Sequence, residues 1–222
     1  MTNEVDRIYM LLIFSLVYND WQKESVFWKD RRGYNIGALL VNENQEPAYY
    51  SLNSVISANN VTQHAELRSI LGFLDKSKKF NLPGFTMYST LEPCIMCAGM
   101  MTMSGVKKIV FGQRDVKYNY AFERINRNIE IDGQTNFYPL KVETAAYSDE
   151  YVTHLNSLYK EFLVKDQEKV LAKFLASEET RVVYEKANSA FLNLNPQSSQ
   201  EKITYKLAIE FYEKEKNRLP AS

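Results

Sequence analysis

Residues 89–101, STLEPCIMCAGMM, contain both cysteines of this 222-residue chain. Cys94 and Cys97 are three positions apart and follow Pro93, a residue that often occupies the first position of a helix. Residues i and i+3 share one face of a helix, so the two thiols can bind a single metal ion. The run FTMYST (85–90) has the length and composition of a buried strand. The stretch therefore predicts a strand followed by a metal-binding helix.

The composition is that of one domain of ordinary size, with or without an extension. Hydrophobic residues make up 45% of the chain, and 27 Lys and Arg balance 27 Asp and Glu. This neutral balance does not indicate a nucleic-acid-binding protein, although a local basic face is compatible with it. Two closely spaced cysteines form no disulfide framework and favour a reducing compartment. The N-terminal segment lacks a signal peptide pattern, and no apolar run is long enough for a membrane span. We therefore expect a cytoplasmic protein without a membrane partner.

Strand and helix patterns alternate along most of the chain. The predicted elements are a helix over 3–22, a hairpin of strands over 34–44 and 47–55, a helix that begins near Thr62 with Asn60 or Thr62 as N-cap, a strand over 85–90, a helix over 93–105 that starts at Pro93 and ends near Gly105, strands over 107–112 and 138–144, and a helix over 149–174.

Alternating strands and helices favour an α/β sheet with helices on both faces. After residue 175 the pattern changes to two further amphipathic helices, separated by NLNPQ (193–197). We interpret residues 1–174 as one domain and residues 175–222 as a C-terminal helical extension.

A second metal-ligand stretch is HAE (64–66), at the start of a predicted helix. His64 would complete a set of three protein ligands with Cys94 and Cys97. A catalytic Zn²⁺ site has three protein ligands and leaves the fourth position to water, whereas a structural site is closed by four. Glu66 lies in the same first helical turn, where a carboxylate can take a proton from that water and pass it to a leaving amine.

The two half-motifs, His-x-Glu and Pro-Cys-x-x-Cys, resemble the signature of the zinc-dependent nucleobase and nucleoside deaminases. STLEPCIMCAGMM, the following SGVKKIVFGQRD (104–115) and the strand IGALLV (36–41) look most like the bacterial tRNA adenosine deaminases within that superfamily. The resemblance covers residues 4–173. It implies a three-layer α/β/α fold, cytidine-deaminase-like, with a five-stranded mixed sheet.

The resemblance also implies the roles of individual residues. His64, Cys94 and Cys97 match the zinc ligands of the family, and Glu66 matches its proton shuttle. Asn53 falls where the family places a base-contacting asparagine, and the backbone of Ala65 matches a further substrate contact. Asn53 can alternatively terminate a strand, and Glu66 can simply favour the helix dipole.

The implied reaction is hydrolytic deamination of adenosine to inosine in tRNA or other RNA by a homodimer, with the base flipped into the pocket. The neutral charge balance leaves open a deaminase of a free base or nucleoside, such as cytosine or guanine. A non-catalytic zinc-containing binding subunit is a third interpretation, against which the presence of Glu66 argues. The chain departs from the family pattern at 116–128, at Gly105 and after residue 175. These departures affect the expectation of a tRNA substrate more than the expectation of a zinc site.

Two aromatic segments permit two interpretations each. In 117–128, three aromatic residues alternate with three cations: Tyr118, Tyr120 and Phe122 with Lys117, Arg124 and Arg127. Such a segment can stack on bases and bind phosphates, or its rings can pack in the core while the cations face solvent. Phe27 and Trp28, before the first strand, can frame the mouth of the pocket or pack in a core or interface.

Overall fold

The computed structural model describes residues 4–125, 130–131, 134–135, 141–166 and 170–216. The helices are α1 (Glu4–Asn19), α2 (Ala65–Ser77), α3 (Ile95–Ser104), α4 (Ala121–Ile125), α5 (Glu150–Lys165), α6 (Leu171–Phe174), α7 (Glu178–Leu192) and α8 (Ser199–Glu215), with a short 3₁₀ helix at Trp28–Asp30. The strands are β1 (Gly37–Val41), β2 (Pro47–Leu52), β3 (Thr86–Leu91), β4 (Lys108–Gln113), β5 (Glu130–Ile131), β6 (Gln134–Thr135) and β7 (Glu143–Ala146).

Five of these strands form one mixed sheet in the order β2-β1-β3-β4-β7. The strand β1 is antiparallel to both of its neighbours, whereas β3, β4 and β7 are parallel. The predicted hairpin of β1 and β2 is confirmed, and Asn42 closes it by accepting the amides of Asn44 and Glu46 on Oδ1. Parallel neighbours require a crossover, which α3 makes between β3 and β4. The predicted five-stranded mixed sheet is therefore confirmed.

The two faces of the sheet carry separate buried clusters, because successive side chains of a strand point to opposite sides. Leu39 and Val41 of β1 pack in a cluster with α1, whereas Ala38 and Leu40 pack in a cluster with α2 and α3. Helices thus cover both faces, and the predicted three-layer α/β/α arrangement is confirmed. None of the helices in the described part of the chain is both long and apolar enough to traverse a bilayer.

The helices α7 and α8 pack against the side of α1 that does not face the sheet. Val183, Tyr184 and Phe191 share the buried cluster of α1, and the ring centroids of Tyr184 and Phe14 are 4.8 Å apart. Every side chain from Ile8 to Phe14 is consequently buried, as expected for a helix that is apolar on all sides. The two helices predicted after residue 175 are confirmed, and the domain division at residue 174 stays a prediction.

Several predicted boundaries are wrong by a few residues. The helix predicted from Thr62 begins at Ala65, because Asn60 Oδ1 accepts from the amide and hydroxyl of Thr62 and holds this segment in a turn. The helix predicted from Pro93 begins at Ile95, so the proline precedes it. Its predicted end is confirmed, since Gly105 has the positive φ of 75° that glycine adopts most readily after a helix.

The last two predicted elements of residues 1–174 also differ. The helix predicted over 149–174 ends at Lys165, and α6 is a separate helix. The strand predicted over 138–144 is observed at Glu143–Ala146; residues 138–140 of the prediction lie outside the described residues.

Candidate active site

The three predicted metal ligands come together at the starts of two helices. His64 is the N-cap of α2 and Cys94 is the N-cap of α3, both with extended backbone, and Cys97 lies in the first turn of α3. Neither residue has the side-chain oxygen of an ordinary N-cap. Replacing an ordinary cap such as Ser or Asp by a residue that does not cap costs about 1 kcal/mol. The local rule for helix capping is therefore broken at both positions that converge on the site.

The spacing of the ligand atoms fits a zinc ion. The distance between Cys94 Sγ and Cys97 Sγ is 3.6 Å, and His64 Nδ1 lies 3.7 Å from Cys94 Sγ and 3.5 Å from Cys97 Sγ. Tetrahedral Zn²⁺ with ordinary bond lengths places two sulfurs roughly 3.8 Å apart and a sulfur and a nitrogen roughly 3.6 Å apart. The residues thus fit the metal, and no other cluster of metal ligands of this kind occurs in the described ranges.

The two thiols are electrostatically unequal. The hydrogen bond between the sulfurs of Cys94 and Cys97 lowers the pKa of Cys94 to about 4, and the hydrogen bond between Cys94 and His64 lowers it as well. The same Cys97–Cys94 bond, together with burial and the nearby Glu66, raises the pKa of Cys97. The hydrogen bond with Cys94 raises the pKa of His64. This thiolate and thiol share a proton that a metal ion displaces when it binds.

Glu66 is held beside the ligands by its two carboxylate oxygens. Its Oε1 accepts a hydrogen bond of 2.9 Å from Ser89 Oγ, and its Oε2 lies 3.5 Å from Cys97 Sγ. The residue is buried, and burial raises the pKa of its carboxyl group. A carboxyl group of raised pKa can both accept and return a proton near neutral pH. No sequence motif pointed to Ser89, although strand alternation places it on the same face as Met87, toward α2.

A cavity of about 420 Å³ opens onto this cluster, and His64, Glu66 and Cys94 line it. Asn53 lines the same cavity, and its Oδ1 accepts from the amides of Tyr34 at 3.1 Å and Val55 at 3.4 Å. Within the described part of the chain no acceptor binds Nδ2 of Asn53, so this group is a free donor at the cavity. Ala65 is buried, and its amide is one of the first-turn amides that have no acceptor within the helix.

The segment before β1 fixes Asn53 in place. The guanidinium of Arg32 binds the Asn53 carbonyl through Nη1 and pairs through Nε with Asp20 at 2.6 Å. At Gly33 a Cβ atom would lie 2.4 Å from Asn53 Oδ1, so only glycine permits this approach. The sequence did not reveal these contacts, because residues 20, 32 and 53 are distant along the chain.

Two buried carboxylates that the sequence analysis missed organise the loop after β4. Glu92 accepts from Arg114 Nη1 at 3.3 Å, from the Asp115 amide at 3.3 Å and from the Tyr120 amide at 3.0 Å. Asp115 in turn accepts the amide of Tyr118 at 3.0 Å. Glu92, Asp115 and Tyr118 all line the cavity of about 420 Å³ next to the candidate ligands, which we call the zinc cavity. The position of Glu92 next to the Pro-Cys-x-x-Cys motif, at the end of a buried strand, was the available signal.

Within the aromatic and basic segment at 117–128, one ring packs in the core and two rings are exposed. Phe122 is buried in the core, whereas Tyr118 is 58% exposed at the cavity and Tyr120 is exposed beside the guanidinium of Arg114. Arg127 lies outside the described residues.

Phe27 and Trp28 are exposed, so their packing in the core of the chain is excluded. The second histidine, His154, is exposed on α5, on a different element from the three ligands.

Three ligands with zinc spacing, an adjacent buried carboxylate and an open cavity define a zinc-dependent hydrolytic enzyme of the deaminase class. The family profile described as the cytidine and deoxycytidylate deaminase zinc-binding region matches residues 21–113. The tRNA-specific adenosine deaminase of Buchnera aphidicola subsp. Schizaphis graminum is 33% identical over 127 residues, which are 56% of this chain and 80% of that protein. The chain therefore belongs to this zinc-binding deaminase family, and its cofactor is zinc.

Other similar proteins differ in the base that they are named for. The probable cytosine deaminase of Schizosaccharomyces pombe is 33% identical over 84 residues, or 38% of this chain and 50% of that protein. A solved structure from a study of A-to-I editing by tRNA:A34 deaminases at the wobble position is 25% identical, with a TM-score of 0.40, over 51% of this chain and 82% of the other.

Proposed function

We propose that this deaminase converts adenosine to inosine in RNA, with tRNA as the substrate. The observation that carries this proposal is the position of Glu66, which is buried in the same cavity as the ligand triad and held by Ser89. The choice of adenosine is supported by the relative from Buchnera aphidicola, 80% of which this chain covers.

The proposed reaction is a hydrolysis that releases ammonia, and the metal ligands and Glu66 have different roles in it. His64, Cys94 and Cys97 hold Zn²⁺, which when bound supplies a nucleophilic water at neutral pH. Glu66 exchanges protons through Oε2, because Ser89 occupies Oε1. It takes a proton from the attacking water and gives it to the ring nitrogen beside the reacting carbon as the C–O bond forms. It then takes the second proton, from the added hydroxyl, and gives it to the amine, which leaves as ammonia when the C–N bond breaks.

The remaining cavity residues bind and orient the base. Asn53 presents Nδ2 as a donor to an acceptor on the base. The backbone of Ala65, the first residue of α2, is the second proposed contact. Tyr34, Ile36 and Leu91 supply apolar wall. A volume of about 420 Å³ is in the range of cavities that enclose small molecules, so one base with its sugar is the expected occupant.

A free base or nucleoside is the second candidate substrate. The relative named probable cytosine deaminase and the neutral balance of the chain support it, because phosphate contacts require cations. Only an RNA substrate releases counterions when it binds, so salt dependence separates the two candidates.

The decisive experiment measures ammonia release from tRNA, an RNA hairpin, adenosine, cytidine, cytosine and guanine by the zinc-loaded enzyme. We expect conversion of adenosine in the RNA, with kcat/KM falling steeply as salt rises. Glu66→Gln is expected to lower kcat by about 10²–10⁴-fold while it retains zinc. Activity confined to free bases, insensitive to salt, would contradict the RNA substrate. If Glu66→Gln were as active as the unmodified enzyme, Glu66 would not be the proton shuttle.

The predicted homodimer is supported by an apolar face of α3. Ile95 and Met103, eight residues apart, are exposed on either side of Gly99, where an added Cβ would meet open space. Sedimentation velocity of the zinc-loaded protein is expected to give twice the mass of one chain. The cytoplasmic location stays a prediction.

A further inference from the structure

Two open cavities adjoin the zinc cavity on the side of the segment before β1. One, of about 560 Å³, shares Tyr34 and Val61 with the zinc cavity. The other, of about 180 Å³, shares Trp28, Tyr34 and Ile56 with the first. We call the surface around Trp28, Tyr34, Ile56 and Asn60 the Trp28 groove. It adjoins the cavity of the proposed catalytic site at Tyr34 and Val61, which line both.

The chemistry of the Trp28 groove differs from that of the zinc cavity. Trp28 is 56% exposed and Tyr34 is 37% exposed, so both rings present area to solvent. Lys29 lies with Nζ 5.5 Å from the centroid of the Trp28 ring, and Arg31 lines the narrower part. No Asp or Glu is among the described residues that line the groove. A surface with aromatic rings, cations and asparagine amides, and with no carboxylate in its lining, complements a nucleotide. The rings can stack on the base, and the cations attract the phosphate.

The loop that carries Trp28 is held in one arrangement. The guanidinium of Arg31 donates to the carbonyl oxygens of Glu24 at 2.6 Å and Val26 at 2.9 Å. The next residue, Arg32, is tied to Asp20 and to Asn53, the proposed base contact. An exposed ring on a braced loop costs little ordering entropy when a ligand stacks on it. The loop therefore places Trp28 ready for a ligand at a fixed position relative to the zinc cavity.

We propose that the Trp28 groove binds the nucleotide adjacent to the target adenosine in single-stranded RNA, with its base stacked on Trp28 and its phosphate near Lys29. The inference rests on the proposed function, because a base that is flipped into the zinc cavity brings its neighbours to the mouth. A free base or nucleoside has no neighbour and gains nothing from the groove. The groove thus favours a polynucleotide over the free compound.

The kinetic test compares Trp28→Ala, Trp28→Phe and the unmodified enzyme on an RNA hairpin with one adenosine in its loop and on free adenosine. Trp28→Ala is expected to lower kcat/KM for the hairpin by about 5- to 100-fold, the contribution of one stacked base. It leaves any activity on free adenosine within about twofold, and Trp28→Phe recovers most of the loss. The matched control is Phe80→Ala, which removes a highly exposed ring that lines none of the three cavities.

A binding test reads the stacking directly. The chain has two tryptophans, so Trp21→Phe leaves Trp28 as the single tryptophan, which is excited selectively at wavelengths that tyrosine does not absorb. Glu66→Gln in the same protein prevents turnover. Titration with the hairpin is expected to quench Trp28 emission. Two further hairpins carry an abasic nucleotide on the 5′ or the 3′ side of the adenosine. One of them is expected to bind without quenching, which identifies the side that enters the groove.

The outcomes separate this inference from the proposed function. If the unmodified enzyme deaminates only free bases and binds no hairpin, the proposed function fails and the inference fails with it. If the hairpin is deaminated, Trp28→Ala acts within twofold of the unmodified enzyme and the hairpin leaves the Trp28 emission of the Trp21→Phe protein unchanged, only the inference is overturned. A change of Trp28→Ala from dimer to monomer would show that the groove is covered by a second copy, which also overturns it.

Discussion

The hydroxyl of Ser89 on β3 donates a hydrogen bond of 2.9 Å to Oε1 of Glu66 on α2. Both side chains are buried, and they join the sheet to the helix whose N-cap is the ligand His64. The bond restricts the Glu66 carboxylate to one orientation, with Oε2 toward Cys97. Ser89, which no sequence pattern singled out, therefore positions the carboxylate that we propose as the proton shuttle.

Ser89→Ala is expected to lower kcat by about tenfold without changing the zinc content, because the carboxylate of Glu66 loses a buried partner worth about 1 kcal/mol or more. Kinetics at saturating substrate and elemental analysis measure both quantities. Ser15→Ala is the control, since Ser15 is a buried hydroxyl that bonds only the Leu11 carbonyl of its own helix. Equal kcat for the two variants would show that Ser89 is not a positioning residue.

Alanine at His64, Cys94 or Cys97 is expected to reduce bound zinc from one ion per chain to a small fraction and to abolish activity. A ligand that binds only the folded state stabilises it, so each variant also unfolds at a lower temperature than the zinc-loaded enzyme. Inductively coupled plasma analysis and thermal scans measure these effects. His154→Ala, at an exposed position of α5, keeps its zinc. Retention of full zinc by any of the three ligand variants would place the metal elsewhere.

Glu92→Ala is expected to lower the free energy of unfolding by about 2–3 kcal/mol, since it leaves the amides of Asp115 and Tyr120 without their acceptor. Glu92→Gln retains one acceptor oxygen and loses less. The loop that carries Tyr118 lines the cavity, so both variants raise KM more than they lower kcat. Urea denaturation and steady-state kinetics provide the measurements. An unchanged KM in both variants would show that this loop does not contact the substrate.

Phe191→Ala is expected to lower the free energy of unfolding by about 3–5 kcal/mol, because the Phe191 ring packs against Tyr205 and Tyr212 in the cluster shared with α1. The adjacent Leu192 is partly exposed, and Leu192→Ala costs much less. If residues 175–216 unfold with the rest of the protein, denaturation remains a single transition that is shifted in Phe191→Ala. A separate early transition for these helices would show that they form an independent unit.

The zinc ligands could be predicted from the sequence because their evidence is local. Cys94 and Cys97 lie within one helical turn, and His64 and Glu66 are two residues apart, so spacing alone restricts which atoms can meet. The helix starts were misplaced for an equally local reason: His64 and Cys94 are unusual N-caps, and the capping preference pointed instead to Thr62 and to Pro93. Each helix instead begins directly after a residue whose side chain belongs to the candidate zinc site.

The sequence by itself determined most of the longer strands and helices, the sheet with helices on both faces and the grouping of His64, Cys94 and Cys97, because hydrophobic periodicity and short spacings are properties of a few neighbouring residues. Only the tertiary structure decided the contacts of Glu66 with Ser89, of Glu92 with the loop after β4 and of Arg32 with Asn53. It also decided that Trp28 lies in a groove that adjoins the zinc cavity. The three side-chain contacts join residues 21 or more positions apart, and their geometry depends on how the helices pack on the sheet rather than on any local pattern.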